Sequence, residues 1–289
     1  TYGIRLIDSD SDFLYHNNFI TNTYQVWSSA SVNTWDDGYP SGGNYWSDYT
    51  DIDQYSGPYQ NETGLDGIWD HPHVIAENNT DNYPLIHPYG SIRNLDTNLT
   101  YLTIQSAINA PETLDRHTIF VSSGTYYENV VLSKSISLVG EDRSTTIIDG
   151  GRQYEVIRVD SVSNVEIKGL TIRNGSNIGL HFLNSNGGVV SENEISENGE
   201  GIFLFNSSVN IITRNIIVAN LFRGITIQGS SNYNDISDNV VSDNGSGIEI
   251  YSSSGNTLTR NGILHNNQGI LLVSSSGTLI YHNNFVGNS

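Results

Sequence analysis

Asp51, Asp53 and Glu62 stand at positions 1, 3 and 12 of DIDQYSGPYQNE, the carboxylate spacing of a calcium loop. The glycine comes one place late and Tyr55 fills position 5, so the match is partial. Asp48, Asp66 and Asp70 add oxygen donors in the same stretch. Ca²⁺ is the ion this set would take; the alternative is a run of solvated acidic turns. A bound ion would make EDTA lower the thermal midpoint and calcium restore it. A second set, Asp235, Asp238 and Asp243, has Arg214 and Arg260 one repeat away on either side. Paired carboxyl groups of this kind can cleave glycosidic bonds; a structural ladder of alternating charge is the competing reading. No acid, histidine and base converge convincingly, so no catalytic residue is assigned. His71 with His73, or His16 with His282, could bind a metal weakly, against plain surface histidine. Copper is not expected, because Cu(I) prefers thiolate and thioether ligands and the chain has neither Cys nor Met.

The elements that must position these residues repeat. Gly179, Gly201, Gly224, Gly247 and Gly269 recur at intervals of 22, 23, 23 and 22 residues, and the last four open GIFLFNSS, GITIQGSS, GIEIYSSS and GILLVSSS. A fixed period in this range marks a solenoid, and strict alternation within each phrase makes it a β-solenoid. In GIEIY the alternation points Ile248 and Ile250 inward, with Leu258 and Ile263 as the other inward positions of that coil. Two Asn columns, Asn193 to Asn283 and Asn198 to Asn288, are placed to form amide ladders between coils about 4.8 Å apart. The column Glu192, Arg214, Asp238, Arg260, His282 alternates in charge, which favours one register.

Residues 3–22, GIRLIDSDSDFLYHNNFITN, are the same phrase. YHNNF occurs at 15–19 and again at 281–285. The start of the chain is thus in phase to follow its end. The expectation is that residues 1–25 form a coil donated to the open end of the next molecule. Ile4, Leu6, Leu14 and Phe19 would meet Leu271, Ile280 and Phe285, and His16 would stack on His282. The partner is then a second copy of the chain, in a head-to-tail homopolymer.

The chain of 289 residues is 36% hydrophobic and carries a formal net charge of −19, which argues against nucleic acid and anionic membranes. No run is long enough to span a bilayer. The missing initial Met is taken to indicate a processed chain or a fragment whose targeting signal is gone. Sequons at Asn61, Asn78, Asn98, Asn174, Asn206 and Asn244 favour an exported, glycosylated, extracellular surface. Residues 26–90 hold all four Trp and read as an irregular aromatic cap, with a sugar-binding platform as the alternative. Residues 91–153 begin a β-helix, with a short amphipathic helix at 103–110 covering its first coil, and 154–289 are regular coils.

TIQSAINA, followed by IFVSSGTYYENVVLSKSISLVGEDRSTTIIDGG, resembles the opening of pectin-lyase-like right-handed parallel β-helices. The repeats resemble those of the NosD-type carbohydrate-binding and sugar-hydrolase family. WDDGYPSGGNYWSDY with DGIWDHPHVIAENNTDNYPLIHP resembles a C-terminal module of archaeal surface proteins. In that family the module ends a protein, whereas here it precedes a fresh β-helix. The resemblance implies an all-β solenoid at a cell surface. Three functions stand: a structural filament subunit or one unit of a tandem-repeat surface protein, a module for surface glycans, and a polysaccharide lyase or hydrolase.

Overall fold

A computed structural model describes residues 1–289, which form two compact units: Thr1–Ile92 with Thr100–Thr103, and Arg93–Leu99 with Ile104–Ser289.

The larger unit is a parallel β-helix. One column of strands runs from Thr118–Val121 to Leu279–Tyr281, a second from Gly124–Tyr127 to Asn284–Val286, and a third from Val130–Leu132 to the six-residue strand Gln268–Val273. Every strand in a column pairs in parallel with its counterpart one coil on, as Ile248 does with Ile270 and Ile250 with Leu272. Alternation places the aliphatic residues inside, where Ile202, Ile225, Ile248, Ile250, Leu258 and Ile263 are fully buried.

The chain turns at four corners per coil, each in the left-handed region. Asn184, Gly187, Glu192 and Glu197 set a spacing of three, five and five residues. Ser230/Tyr233/Asp238/Asp243, Ser252/Gly255/Arg260/His265 and Ser274/Gly277/His282/Gly287 keep it. Left-handed backbone costs an L residue roughly 1–2 kcal/mol. Buried ladders offset it. Asn239 donates from its backbone N–H and from Nδ2 to Asn261 Oδ1, both at 3.0 Å, and from Nδ2 back to Ile212 O at 2.8 Å. The same bonds recur from Asn193 to Asn283 and from Asn198 to Asn288. A serine column, Ser185 to Ser275, ties a third corner.

A helix at Ile104–Asn109 buries Ile104, Ala107 and Ile108. Its first amides, Ile104 N–H and Gln105 N–H, donate to Glu128 at 2.9 and 3.0 Å. Desolvation outweighs these bonds and pushes the Glu128 carboxyl up to about 7. A carboxyl raised in the folded state favours folding below its ordinary pKa, and that contribution fades as pH climbs through about 7. Glu128→Gln is therefore expected to flatten the fall of the thermal midpoint between pH 4.5 and 8. Allowing for the residue's partial exposure, the effect is about 1–2 kcal/mol, or a few degrees. Midpoints of both proteins across that range, by circular dichroism, check it; parallel curves would exclude Glu128 as a source.

The smaller unit corrects the expected boundary at residue 25. Residues 1–25 are not a free coil. Tyr2–Ile7 pairs in parallel with Tyr24–Ser29, Asn18–Phe19 with Tyr45–Trp46, and Phe13 bridges Thr34. Residues 24–46 are thus a second coil rather than irregular structure. The ladders continue here, from Asn17 to Asn44 and from Ser9 to Ser31. Residues 47–92 add two short antiparallel pairs, Tyr55–Ser56 with Glu62–Thr63 and His73–Ala76 with Asn79–Asp81. Leu6, Phe19, Trp35 and Trp46 form the core, with Phe19 and Trp46 stacked 4.2 Å apart.

Candidate functional site

The two coil ends are the most distinctive surfaces. In the last coil Leu272, Ile280 and Phe285 are 41%, 40% and 51% exposed, whereas their column neighbours Ile250, Leu258 and Ile263 are fully buried. Ile270 and Leu272 are the inward pair. Leu271, expected at the joint, sits in register with Glu249 on the outer face. The strand alternates, so one step in phase moves a side chain to the other side.

Residues 3–22 align on 269–288 without a gap, and the backbone agrees. Asp8, Ser11, His16 and Thr21 are left-handed at the spacing of Ser274, Gly277, His282 and Gly287. Tyr15 meets His16 edge-on at 5.2 Å, and Tyr281 meets His282 edge-on at 5.1 Å. Asn261 donates to Asn283 Oδ1 from N and Nδ2 at 2.9 and 3.0 Å, as Asn17 does to Asn44 Oδ1 at 3.0 and 3.0 Å. The column therefore reads onward from Asn283 N–H, and Asn17 Oδ1 is an acceptor of the matching kind. The two ends differ in exposure: Leu6 and Phe19 are only 9% and 4% exposed, because their own unit already covers them. Ile4 and Leu14 are half-buried against the same core. His16 is also engaged. Its ring stacks on Tyr89 at 4.1 Å and its Nε2 lies 3.0 Å from Ser41 O, so it is not the free surface needed to stack on His282.

The acidic set of the smaller unit serves its turns. Asp53 accepts from Asp66 N–H and Gly67 N–H, Asp66 from Ile68 N–H and Gln60, Asp70 from Gln54 N–H and Tyr55 N–H, and Asp51 from His71 N–H. Asp48 and Glu62 lie on the surface. No three of these acids form a group of the kind that holds a metal ion by side chains alone. Burial, then the nearby Asp66 charge, pushes the Asp53 carboxyl up to about 7.

Asp238 accepts a two-pronged bond from Arg260 at 2.7 and 2.8 Å, while Glu192 lies 3.2 Å from Lys168 and 3.4 Å from Arg214. This is the alternating ladder, with Asp238 held below the usual carboxylate range chiefly by its Arg260 hydrogen bond. Among the sequons, Asn61, Asn78, Asn98 and Asn206 are exposed and Asn174 is half-buried. Asn244 cannot carry a glycan in this fold. It is buried, and its Nδ2 donates to Ile217 O, Ser242 O and Asn266 Oδ1.

The family described as "Periplasmic copper-binding protein (NosD)" matches residues 112–289, more than half of the chain. A cell surface glycoprotein of Methanothermus fervidus is 33% identical over 104 residues, which cover 36% of this chain and 17% of that protein. The chain therefore matches less than a fifth of the relative's length. Among solved structures, a double mutant of the periplasmic alginate epimerase AlgG is similar at a TM-score of 0.47 and 20% identity, over 57% of this chain and 46% of that one. An alginate lyase from a Paenibacillus species is similar at 0.43 and 15%, over 64% and 96%. The residues present do not fit the copper of the family's description. Thiolate and thioether donors are absent, and no three of the His, Asp and Glu side chains form a group that could hold a metal.

Proposed function

The chain belongs to the NosD family, and we propose that it is a structural β-helix of the cell surface, joined head to tail through its end coils. The coil at 267–289 of one copy seats on the coil at 1–22 of the next. Within a longer protein the same joint links successive units. The shared corner spacing of Asp8, Ser11, His16, Thr21 and Ser274, Gly277, His282, Gly287 carries this reading. The apolar end of the last coil and the unpaired outer edges of Tyr2–Ile7 and Gln268–Val273 support it, since an uncovered edge invites pairing. The helix at Ile104–Asn109 serves as the cap of the first coil of the larger unit. Similarity to a cell surface glycoprotein supports the location, and no helix is long and apolar enough to cross a membrane. The contact is heterologous and unclosed, so it propagates. Negative-stain microscopy and light scattering of the purified chain test it. Rods whose length grows with concentration are expected; a protein that stays monomeric at high concentration would overturn the reading.

A further inference from the structure

Side chains on successive coils lie over one another, and paired rings stack. Tyr2 pairs with Tyr24, and their rings lie 5.2 Å apart at 22°. Phe19 pairs with Trp46 at 4.2 Å and 3°, and His181 with Phe203 at 5.1 Å and 15°. The coil spacing of about 4.8 Å brings this about, since it is close to the separation that offset rings prefer. A ring on an end coil therefore fixes where the ring of a following coil would lie.

The outer faces of the two end coils carry matching residues. In the strand Leu279–Tyr281, Leu279 and Tyr281 point outward on either side of Ile280. The residues in the same places of the first coil are Phe13 and Tyr15. All four are exposed, Tyr281 by 45% and Tyr15 by 37%. One coil further from each end these places turn polar: Thr257 and Thr259 pair with Leu279 and Tyr281, and Thr34 bridges Phe13. Exposed Val273 with Ile7, and Val286 with Ile20, repeat the match on the other two columns. Cross-strand apolar and aromatic pairs stabilise a sheet, so these residues are accounted for where the two end coils meet.

We propose that Tyr281 of one copy stacks on Tyr15 of the next, and that one-electron oxidation closes the pair into a dityrosine that locks the joint covalently. The lock rests on head-to-tail joining through the end coils. Each phenol gives one electron and one proton to the oxidant. The two phenoxyl radicals join by a C–C bond between carbons ortho to the oxygens. The hydrogens on those carbons then move to the oxygens and restore both phenols. Two electrons and two protons leave in all, and one hydrogen peroxide, acting through a haem peroxidase, takes them up as two waters. Coupling needs the two rings to meet while they are radicals, and a stack held one coil apart supplies that encounter in advance. Cys and Met, which would consume the oxidant first, are absent from the chain.

The test treats the whole chain, with rods verified by negative-stain microscopy, with peroxidase and hydrogen peroxide. Oxidant is added until dityrosine fluorescence appears, and the linked peptides are mapped by mass spectrometry. A ladder of covalent oligomers in denaturing gels is expected, with a linked peptide pair holding Tyr15 and Tyr281. Diluted below the concentration at which rods form, the chain should lose that pair. Tyr281→Phe and Tyr15→Phe keep the ring and should form rods as the parent does, while the yield of covalent oligomer falls about tenfold or more. Rods whose dityrosines do not include the Tyr15–Tyr281 pair, or oligomers undiminished in Tyr281→Phe, would overturn the lock and leave head-to-tail joining in place. A chain that forms no rods would overturn both.

Discussion

Leu272→Asp is expected to abolish end-to-end assembly while leaving the solenoid folded. Leu272 points into the column above Ile250 but is 41% exposed in the isolated chain, so a carboxylate there stays solvated until a second copy arrives. Ile270, Leu272, Ile280 and Phe285 are already about half covered, so seating a coil over them buries apolar surface worth about 3–6 kcal/mol gross, half of the roughly 1.5–3 kcal/mol that full burial of each side chain gives. Association costs of about 4–15 kcal/mol are of the same size or larger, so the joint also depends on the backbone and asparagine ladder bonds across it. Desolvating one unpaired carboxylate costs several kcal/mol, and each 1.4 kcal/mol is tenfold in affinity, so a loss of about a thousandfold or more is expected. Phe285→Asp should behave alike. Leu271→Ser, one residue away on the outer face, should assemble much as the parent does. Sedimentation velocity at matched concentrations reads all three. Equal polymerisation by Leu272→Asp and the parent would rule out this end as the joint.

Asp81→Ala is expected to unfold the smaller unit selectively. Asp81 is fully buried and accepts from Asn44 N–H at 2.7 Å, Trp46 Nε1–H at 2.9 Å and Tyr83 N–H at 3.1 Å. Gly43 lies so close that an added Cβ would sit 1.9 Å from Asp81 Oδ1, so backbone and carboxylate are fitted together. Removal of the carboxylate strands two buried donors and a part-buried one, the buried ones costing about 1–3 kcal/mol each, so a loss of about 3–6 kcal/mol is expected. All four Trp lie in this unit, and tryptophan fluorescence therefore reports it alone. Fluorescence should melt well before the far-UV signal of the β-helix. Coincident melting at the parent midpoint would remove Asp81 from its role as the organiser of the Trp46 corner.

The regular coils were legible because three signals coincide in them: alternation, glycine at the strand start, and asparagine at the corners. Ile248, Ile250, Leu258 and Ile263 point where alternation puts them. The coil at 24–46 was not legible. It lacks the Gly-Ile opening, and Trp46 fills the inward place that Phe19 holds a coil earlier, so aromatic bulk masks the period. At the chain end, the phase of GILLV reads either way by hydrophobicity, since Leu271 and Leu272 are both Leu; pairing with Glu249 and Ile250 decides it. Spacing alone suggested an ion among Asp51, Asp53 and Glu62, but amide-rich turns compete for the same oxygens. Asn244 belonged to a sequon and to a ladder column at once, and burial resolves which use it has. The contact of Glu155 Oε1 with His181 Nδ1, 2.7 Å apart, was missed because it joins residues on neighbouring coils at a diagonal, a spacing that no linear motif displays.

The corner pattern also governs how such a chain can change length. From Asn206 to Arg214 to Ala219 the spacing equals that of every neighbour, yet the next coil begins at Ser230, two residues later than the common period allows. The surplus falls on either side of one strand, Arg223–Gln228, as the exposed pair Leu221–Phe222 and the extra left-handed Gly229. Ladders bind the other corners to their neighbours, so a single inserted residue there would strand asparagine bonds in two coils at once. Insertions and deletions are therefore confined to the flanks of the long strand, or must come as whole coils. Such a gene grows by duplication in steps of one turn and diversifies along one side only.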